Sequence, residues 1–160
     1  MAIAPLVEDY LSRHGAKYEV LEHAPSHSSV ETARHAAVPA DRLVKSVLLE
    51  DDDGMILAVL PSHLSVHLGE LSSETRRRLR LADPEDLRSA FPDCADGAIP
   101  PLGPAYGIRT ILDDSVEAQS DVYFEAGDHR HLVHMSAEQF MAIVGPAQRV
   151  HFSRHSALRG

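Results

Sequence analysis

"DRLVKSVLLE", residues 41–50, is the stretch on which the fold turns. Its centre, Val44 to Leu49, is an apolar run with one cation inside it, Lys45. Strand alternation sends Val44, Ser46 and Leu48 to one face and Lys45, Val47 and Leu49 to the other. Both faces are largely apolar, which predicts an interior strand. A lysine there must snorkel to water, meet a carboxylate or line a pocket. Without a partner it loses hydration and its pKa falls, at about 1.4 kcal/mol per unit. Lys45 is therefore the first candidate site residue. The plainer reading is a lysine at a strand start whose amine reaches solvent.

The neighbouring segments build outward from this strand. "MILAVLP", residues 55–61, reads as a second buried strand. With Asp53-Gly54 as the turn, the two make a hairpin. Upstream, a helix from Pro5 to His14 carries an apolar stripe of Leu6, Val7, Tyr10 and Leu11, and Gly15 ends it. "KYEVLEH" (17–23) reads as a short strand. "SSVETARHAA" (28–37) reads as a helix with Ser28 and Glu31 at capping-box spacing. Residues 62–92 look helical and more polar, with Asp83 as a cap and Pro84 at a first helical position. "IRTILDD", "DVYFEAG" and "HLVHMS" are three strand-like segments between Ile108 and Ser136. "SAEQFMAIVG" closes the chain's pattern as a helix, with Ser136 and Gln139 as a capping box and Gly145 as the stop. Strands interleaved with helices and hairpin-like links predict an α/β or α+β domain with a mixed sheet.

Composition narrows the function classes. The 160 residues suit one domain, 1–160, and no internal repeat or linker divides them. No run of about 18 apolar residues is present, so no transmembrane helix is expected. The N-terminus lacks the charge and hydropathy pattern of a signal peptide. Cys94 is the single cysteine, which excludes an internal disulfide and fits a reducing, cytoplasmic setting. Asp93 and Asp96 flank it and oppose thiolate formation. The net charge of −9 argues against broad, non-specific nucleic-acid binding, and neither a membrane nor DNA is expected as a partner. "RRRLR", Arg76 to Arg80, is either a solvated helix end or a local phosphate contact. Eleven histidines are many for this length. His63 and His67 lie four apart; His129 and His131 fall on one strand face and His134 on the other. No HExxH pattern or cysteine pair joins them, so no metal or other cofactor is expected. The serines of "SHSS" (26–29) lack a G-x-S-x-G elbow, and Ser28 is better explained as a cap.

The second candidate site is the loop "GAIPPLG", Gly97 to Gly103. Its prolines stiffen the backbone and its glycines permit close approach. A rigid loop with free N–H groups can hold a carbonyl or oxyanion. The alternative is a purely structural crossover.

"TARHAA", "LVKSVLL", "ILAVLP", "LADPEDL", "GAIPPLG", "GIRTILDDS", "VYFEAG" and "HLVHMS", in this order, resemble the YbaK/ProX family. That family includes the editing domain inserted in bacterial prolyl-tRNA synthetases and its free-standing relatives. The resemblance spans Tyr18 to Val144. It implies a mixed, partly barrel-like β-sheet surrounded by helices. It also implies hydrolysis of the ester that joins a wrong amino acid to tRNA, without a cofactor. The family's functional lysine matches Lys45, its G-x-x-x-P loop matches Gly97 to Pro101, and a pocket histidine matches His131. By this resemblance Lys45 would hold the terminal phosphate or ribose, or polarise the ester. Amides near Gly97 and Ala98 would receive the ester carbonyl. Ile99, Pro100, Pro101, Gly103 and His131 would bind substrate. Apolar residues beside Lys45 and on "ILAVLP" would shape the amino-acid pocket. The expected partner is the acceptor end of an aminoacyl-tRNA, with an aminoacyl-tRNA synthetase as a further partner. The rivals are a catalytically silent module that docks on tRNA or a synthetase, and a metal-dependent hydrolase built on the histidines.

Overall fold

The computed structural model describes residues 3–24, 29–145 and 147–155. Lys45's segment forms strand β2 (Leu43–Asp51), and "MILAVLP" forms β3 (Gly54–Pro61). They pair antiparallel along their whole length, from Val44↔Pro61 to Asp51↔Gly54. The two-residue turn is therefore Asp52-Asp53, one position earlier than expected. The Asp51 carboxylate builds it by accepting the N–H groups of Asp53 (2.9 Å) and Gly54 (3.1 Å).

Around this hairpin the other elements fall in chain order. They begin with α1 (Pro5–Arg13), β1 (Glu19–Glu22) and α2 (Ser29–Ala36). After β3 come β4 (Leu64–Val66), α3 (Leu68–Thr75), β5 (Arg80–Leu81) and α4 (Pro84–Ala90). The last part holds β6 (Arg109–Asp113), β7 (Asp121–Glu125), β8 (His131–Ser136), α5 (Ala137–Val144), β9 (Gln148–Val150) and β10 (Ser153–His155). The main sheet has eight strands in the order β1-β8-β7-β2-β3-β6-β9, with β5 also pairing β2. It is mixed: β2 runs parallel to β7, and β3 and β9 flank β6 in parallel, while the other pairs are antiparallel. No ladder joins β1 to β9 among the described residues. β4 and β10 form a separate ribbon.

Both faces of β2 are covered, as its pattern required. Val44 and Leu48 pack into the largest core cluster with Leu57, Val59, Phe124 and Phe140. Leu49 joins Ile56, Ala58, Leu60 and Phe152 on the opposite face. Fully burying each such side chain contributes about 1.5–3 kcal/mol, and this double burial holds the strand's register, since a one-residue slip would swap its two faces.

Several local expectations change. Residues 62–92 are not uniformly helical, because β4 and β5 interrupt them. Asp83 does cap α4, accepting from the Asp86 N–H at 2.9 Å. Ser136 caps α5 through the Gln139 N–H (3.1 Å), but Gln139 does not reciprocate. Its side-chain oxygen accepts the Lys17 N–H instead (2.8 Å). The Gly97 loop runs directly into a 3-10 turn, Gly103–Tyr106. Ser28 of the expected capping box, and Ser26, lie outside the described residues.

Candidate active site

The outer edge of β2 is where the fold leaves room. β3 lies along one edge. On the other, β7 pairs only with Leu43 and Val44, and β5 only with Leu49 and Glu50. Lys45 to Leu48 thus border a split in the sheet. Hydrogen bonds at its ends show which backbone groups face it. The Ser62 N–H donates to the Leu43 carbonyl on the β3 side (2.7 Å), and the Ala82 N–H donates to the Leu48 carbonyl on the other (3.0 Å). Odd-numbered residues of β2 therefore bond to β3 and even-numbered ones bond outward. The parallel ladder ends at Val44↔Phe124, so the N–H and C=O of Ser46 face the split. The Ser46 hydroxyl is also buried without a partner among the described residues.

The Gly97 loop lies over this opening, and two cavities flank it. One, of about 60 Å³, is lined by Leu43, Val44, Lys45, Ser46, Gly97, Ile99 and Glu125. The other, of about 230 Å³, is lined by Ser46, Val47, Leu48, Leu81, Ala82, Leu87, Gly97 and Ile99. The first carries the charges and the second is mainly apolar. They share Ser46, Gly97 and Ile99.

Lys45 has no carboxylate within ion-pairing distance among the described residues. Burial pushes its pKa down, because the charged amine has given up water. Glu125, at the end of β7, is 8 % exposed. Burial raises its carboxyl pKa, opposed by His23 and by the Thr32 hydroxyl. Thr32 on α2 donates to Glu125 Oε2 at 3.2 Å, and His23 Nε2 stands 3.5 Å from Oε1. His23 Nδ1 bonds the Ala24 carbonyl at 2.7 Å. A carbonyl only accepts, so Nδ1 carries a hydrogen, and Nε2 of a neutral ring would be a bare acceptor. A close contact between Nε2 and Oε1 then needs a proton on one of the two.

The loop is tied down from behind. The Ala95 N–H donates to the Gly127 carbonyl (2.8 Å), Arg88 Nη2 donates to Asp96 (3.0 Å), and His129 Nε2 bonds the Asp96 carbonyl. Gly97 has φ +81°, which favours glycine, and a Cβ there would lie 3.3 Å from His129 Cε1. Its N–H has no partner among the described residues. Ala98 is different. Its N–H already donates to the Ala95 carbonyl (3.1 Å) and its side chain is fully buried, so it offers no donor to a ligand.

Of the residues singled out from sequence, Lys45, Gly97 and Ile99 meet around the split. Pro100 and Pro101 are buried and line neither cavity. Gly103 is a packing glycine: a Cβ there would fall 1.9 Å from Thr110 Oγ1 and 2.5 Å from the Ile108 carbonyl. His131 is not brought in. It shares the face of Val133, opposite that of Leu132 and Glu125. Its partners are Asp128 (2.5 Å) and Glu22 (3.7 Å). His129, in a left-handed turn before β8 rather than on it, is the histidine that touches the loop. The "ILAVLP" strand lines neither cavity, since β2 stands between. Arg77 is bound to Asp51 through two bonds (2.6 and 2.7 Å) and Arg80 faces Glu50 and Asp52. Burial pushes the Cys94 thiol up to about 12, which leaves it without thiolate character. Ser46, Glu125, His23 and Thr32 were not singled out from the sequence. Ser46 left one signal, a polar residue next to Lys45 in an apolar run.

The model of the aminoacyl-tRNA editing domain matches residues 23–143, which includes every residue of the split. The chain belongs to the aminoacyl-tRNA editing domain family. Among solved structures, the fold is similar to a candidate trans-editing enzyme for prolyl tRNA synthetase, with TM-score 0.81 and 23% identity over 93% of this chain and 95% of that one. It is also similar to the hypothetical protein APE2540, with TM-score 0.82 and 20% identity over 93% and 99% of the two chains. A third likeness, TM-score 0.73 and 24% identity, covers 92% of this chain but 30% of a candidate signal transduction protein from Marinobacter aquaeolei VT8. A search of curated proteins gave no match. At these identities the structural likenesses speak for the fold. Among the described residues of the editing domain, the buried Ser46 hydroxyl and Glu125 Oε1, both without a hydrogen-bond partner, lie at the split beside β2. No helix among the described residues is long and apolar enough to cross a membrane.

Proposed function

We propose that this editing domain is a trans-acting aminoacyl-tRNA deacylase and that the split beside Lys45 is its active site. The observation that carries the reading is the pair of adjoining cavities that share Ser46 and Gly97, the smaller of them lined by Lys45. Water adds to the ester carbonyl carbon, and the carbon–oxygen bond to the terminal ribose breaks. The ribose oxygen takes up the proton that water gives up, leaving a free amino acid and tRNA. The chain contributes position and charge. Lys45 holds the terminal phosphate or polarises the ester, and the amides of Ser46 and Gly97 face the developing oxyanion, where each fixed donor contributes most. The 230 Å³ cavity takes the amino-acid side chain, and its lining by Leu48, Leu81, Ala82 and Leu87 favours an apolar one. Such a second sieve matters because a synthetase separates amino acids differing by a methylene by only about 1–3 kcal/mol. The test is a deacylation screen over mischarged tRNAs. Turnover of at least one, lost in Lys45→Ala, is expected. Tight tRNA binding without hydrolysis of any would point to a silent docking module instead.

A further inference from the structure

Resting on that reading, we propose that Glu125 is the receptor for the substrate's α-ammonium group and so sets the direction in which the aminoacyl ester enters the split. An aminoacyl ester carries a cation one carbon from the carbonyl under attack. Its binding site must supply an acceptor close to the oxyanion donors, because an ammonium taken from water without one is strongly disfavoured. Glu125 is the one acid lining either cavity among the described residues.

Three features fit it to this role. It shares the smaller cavity with Lys45, yet the two do not pair. A basic and an acidic group thus stand at one cavity without pairing to each other. Its carboxylate is held in place, with Oε2 accepting from Thr32 and Oε1 facing His23. A fixed anion on packed elements is worth more to a ligand than a mobile surface one. The sizes also match. About 60 Å³ admits a group the size of one or two waters, which suits an ammonium and is too small for a large amino-acid side chain. The larger cavity adjoins it through Ser46, Gly97 and Ile99. An ester with its ammonium at Glu125 and its side chain in the larger cavity places its carbonyl at that shared border, beside the Ser46 and Gly97 amides.

The deciding comparison uses each aminoacyl-tRNA that the wild type hydrolyses and its α-hydroxyacyl counterpart, made by nitrous acid deamination. The pair differs in charge and little in shape. Rates are taken in single turnover, relative to the uncatalysed rate of each ester. The wild type should favour the ammonium form by at least tenfold. Glu125→Gln should lower hydrolysis of that form by tenfold or more and leave the hydroxy form within about twofold, so that the preference collapses. Equal loss on both forms would make Glu125 a base or a structural residue and overturn the proposal. So would a wild type that does not discriminate, a result that leaves the deacylase reading standing. Hydrolysis of no aminoacyl-tRNA removes the deacylase reading and this proposal together. Should Glu125→Gln fail to fold, Glu125→Asp, which keeps the charge and draws it back by one carbon, takes its place with the same two outcomes.

Discussion

Lys45 and the two glycines of the loop show how one residue type serves different ends. Lys45 has no ion-pair partner among the described residues, and burial disfavours its charged form. Replacing it with methionine keeps the stem and removes the desolvated charge. Lys45→Met should therefore abolish deacylation while the melting temperature holds or rises, a combination that activity assays and thermal melts on one sample can check. A lower melting temperature with proportionate activity would make Lys45 structural. Gly97 and Gly103 differ in the same way. Valine at Gly97 meets a left-handed backbone and the edge of His129, at the border of both cavities. Gly97→Val should lower turnover per folded molecule by on the order of a hundredfold, the usual effect of disturbing an oxyanion donor. Gly103→Ala instead drives a methyl into Thr110 and the Ile108 carbonyl. It should lower stability by about 1–3 kcal/mol, with activity per folded molecule unchanged. Circular dichroism on both variants, run beside single-turnover hydrolysis, separates the two effects.

Among the elements, the β2–β3 hairpin carries the site, and its tip is held by charge. Asp51 accepts from Arg77 Nε and Nη2 and from two turn amides, which holds its carboxyl well below the usual carboxylate range. A carboxylate with a depressed folded-state pKa contributes stability that is present above its unfolded pKa and is lost as pH falls through the folded one. Arg77→Met should lower the melting temperature at neutral pH. The gap to wild type should narrow as pH drops below about 4, where unfolded aspartate protonates. Thermal melts across that range decide, and a gap independent of pH would assign the loss to packing alone. Glu125 on β7 has the opposite sign. Its raised pKa contributes stability that is complete below the ordinary glutamate range and lost as pH rises through the folded value, so burying this carboxylate is a standing cost at neutral pH.

At the scale of the whole molecule, the sheet order explains why the site is where it is. Two partners, β7 and β5, share the outer edge of β2 without meeting. Backbone groups between them stay unpaired inside an otherwise buried sheet, and the Gly97 loop spans the gap. No step of the proposed hydrolysis needs a metal. Asp113, Asp114 and His151 do lie close together, as do Glu50, Asp83 and Asp86. However, Asp113 is already committed to the amides of Phe152 and Ser153 and to Ser115, and neither group lines the split. Deacylation should survive a strong chelator, and elemental analysis should find well under one zinc per chain. Stoichiometric metal whose removal stops turnover would move the chemistry to another site.

Much of this was legible along the chain. The apolar run broken by Lys45, the paired strand after it, the Asp83 and Ser136 caps and the Gly97 loop are local patterns. Periodicity and cap chemistry act over a few residues, so the sequence alone determined them, along with the mixed α/β class and the candidacy of Lys45 and Gly97. What lay beyond it depends on contacts between distant segments. β5 has two residues, too few for a period, and exists because β2 offers it an edge. His131 and His129 look interchangeable in "HRHLVH", and only the turn before β8 decides which one reaches the loop. Ala98 seemed a free donor until the Ala95 carbonyl claimed it. Glu125, His23 and Thr32 come from separate stretches, and their meeting is a product of β7, α2 and the chain after β1 packing together. Sequence spacing carries no signal for such a cluster, because the energy that assembles it is long-range burial rather than local propensity.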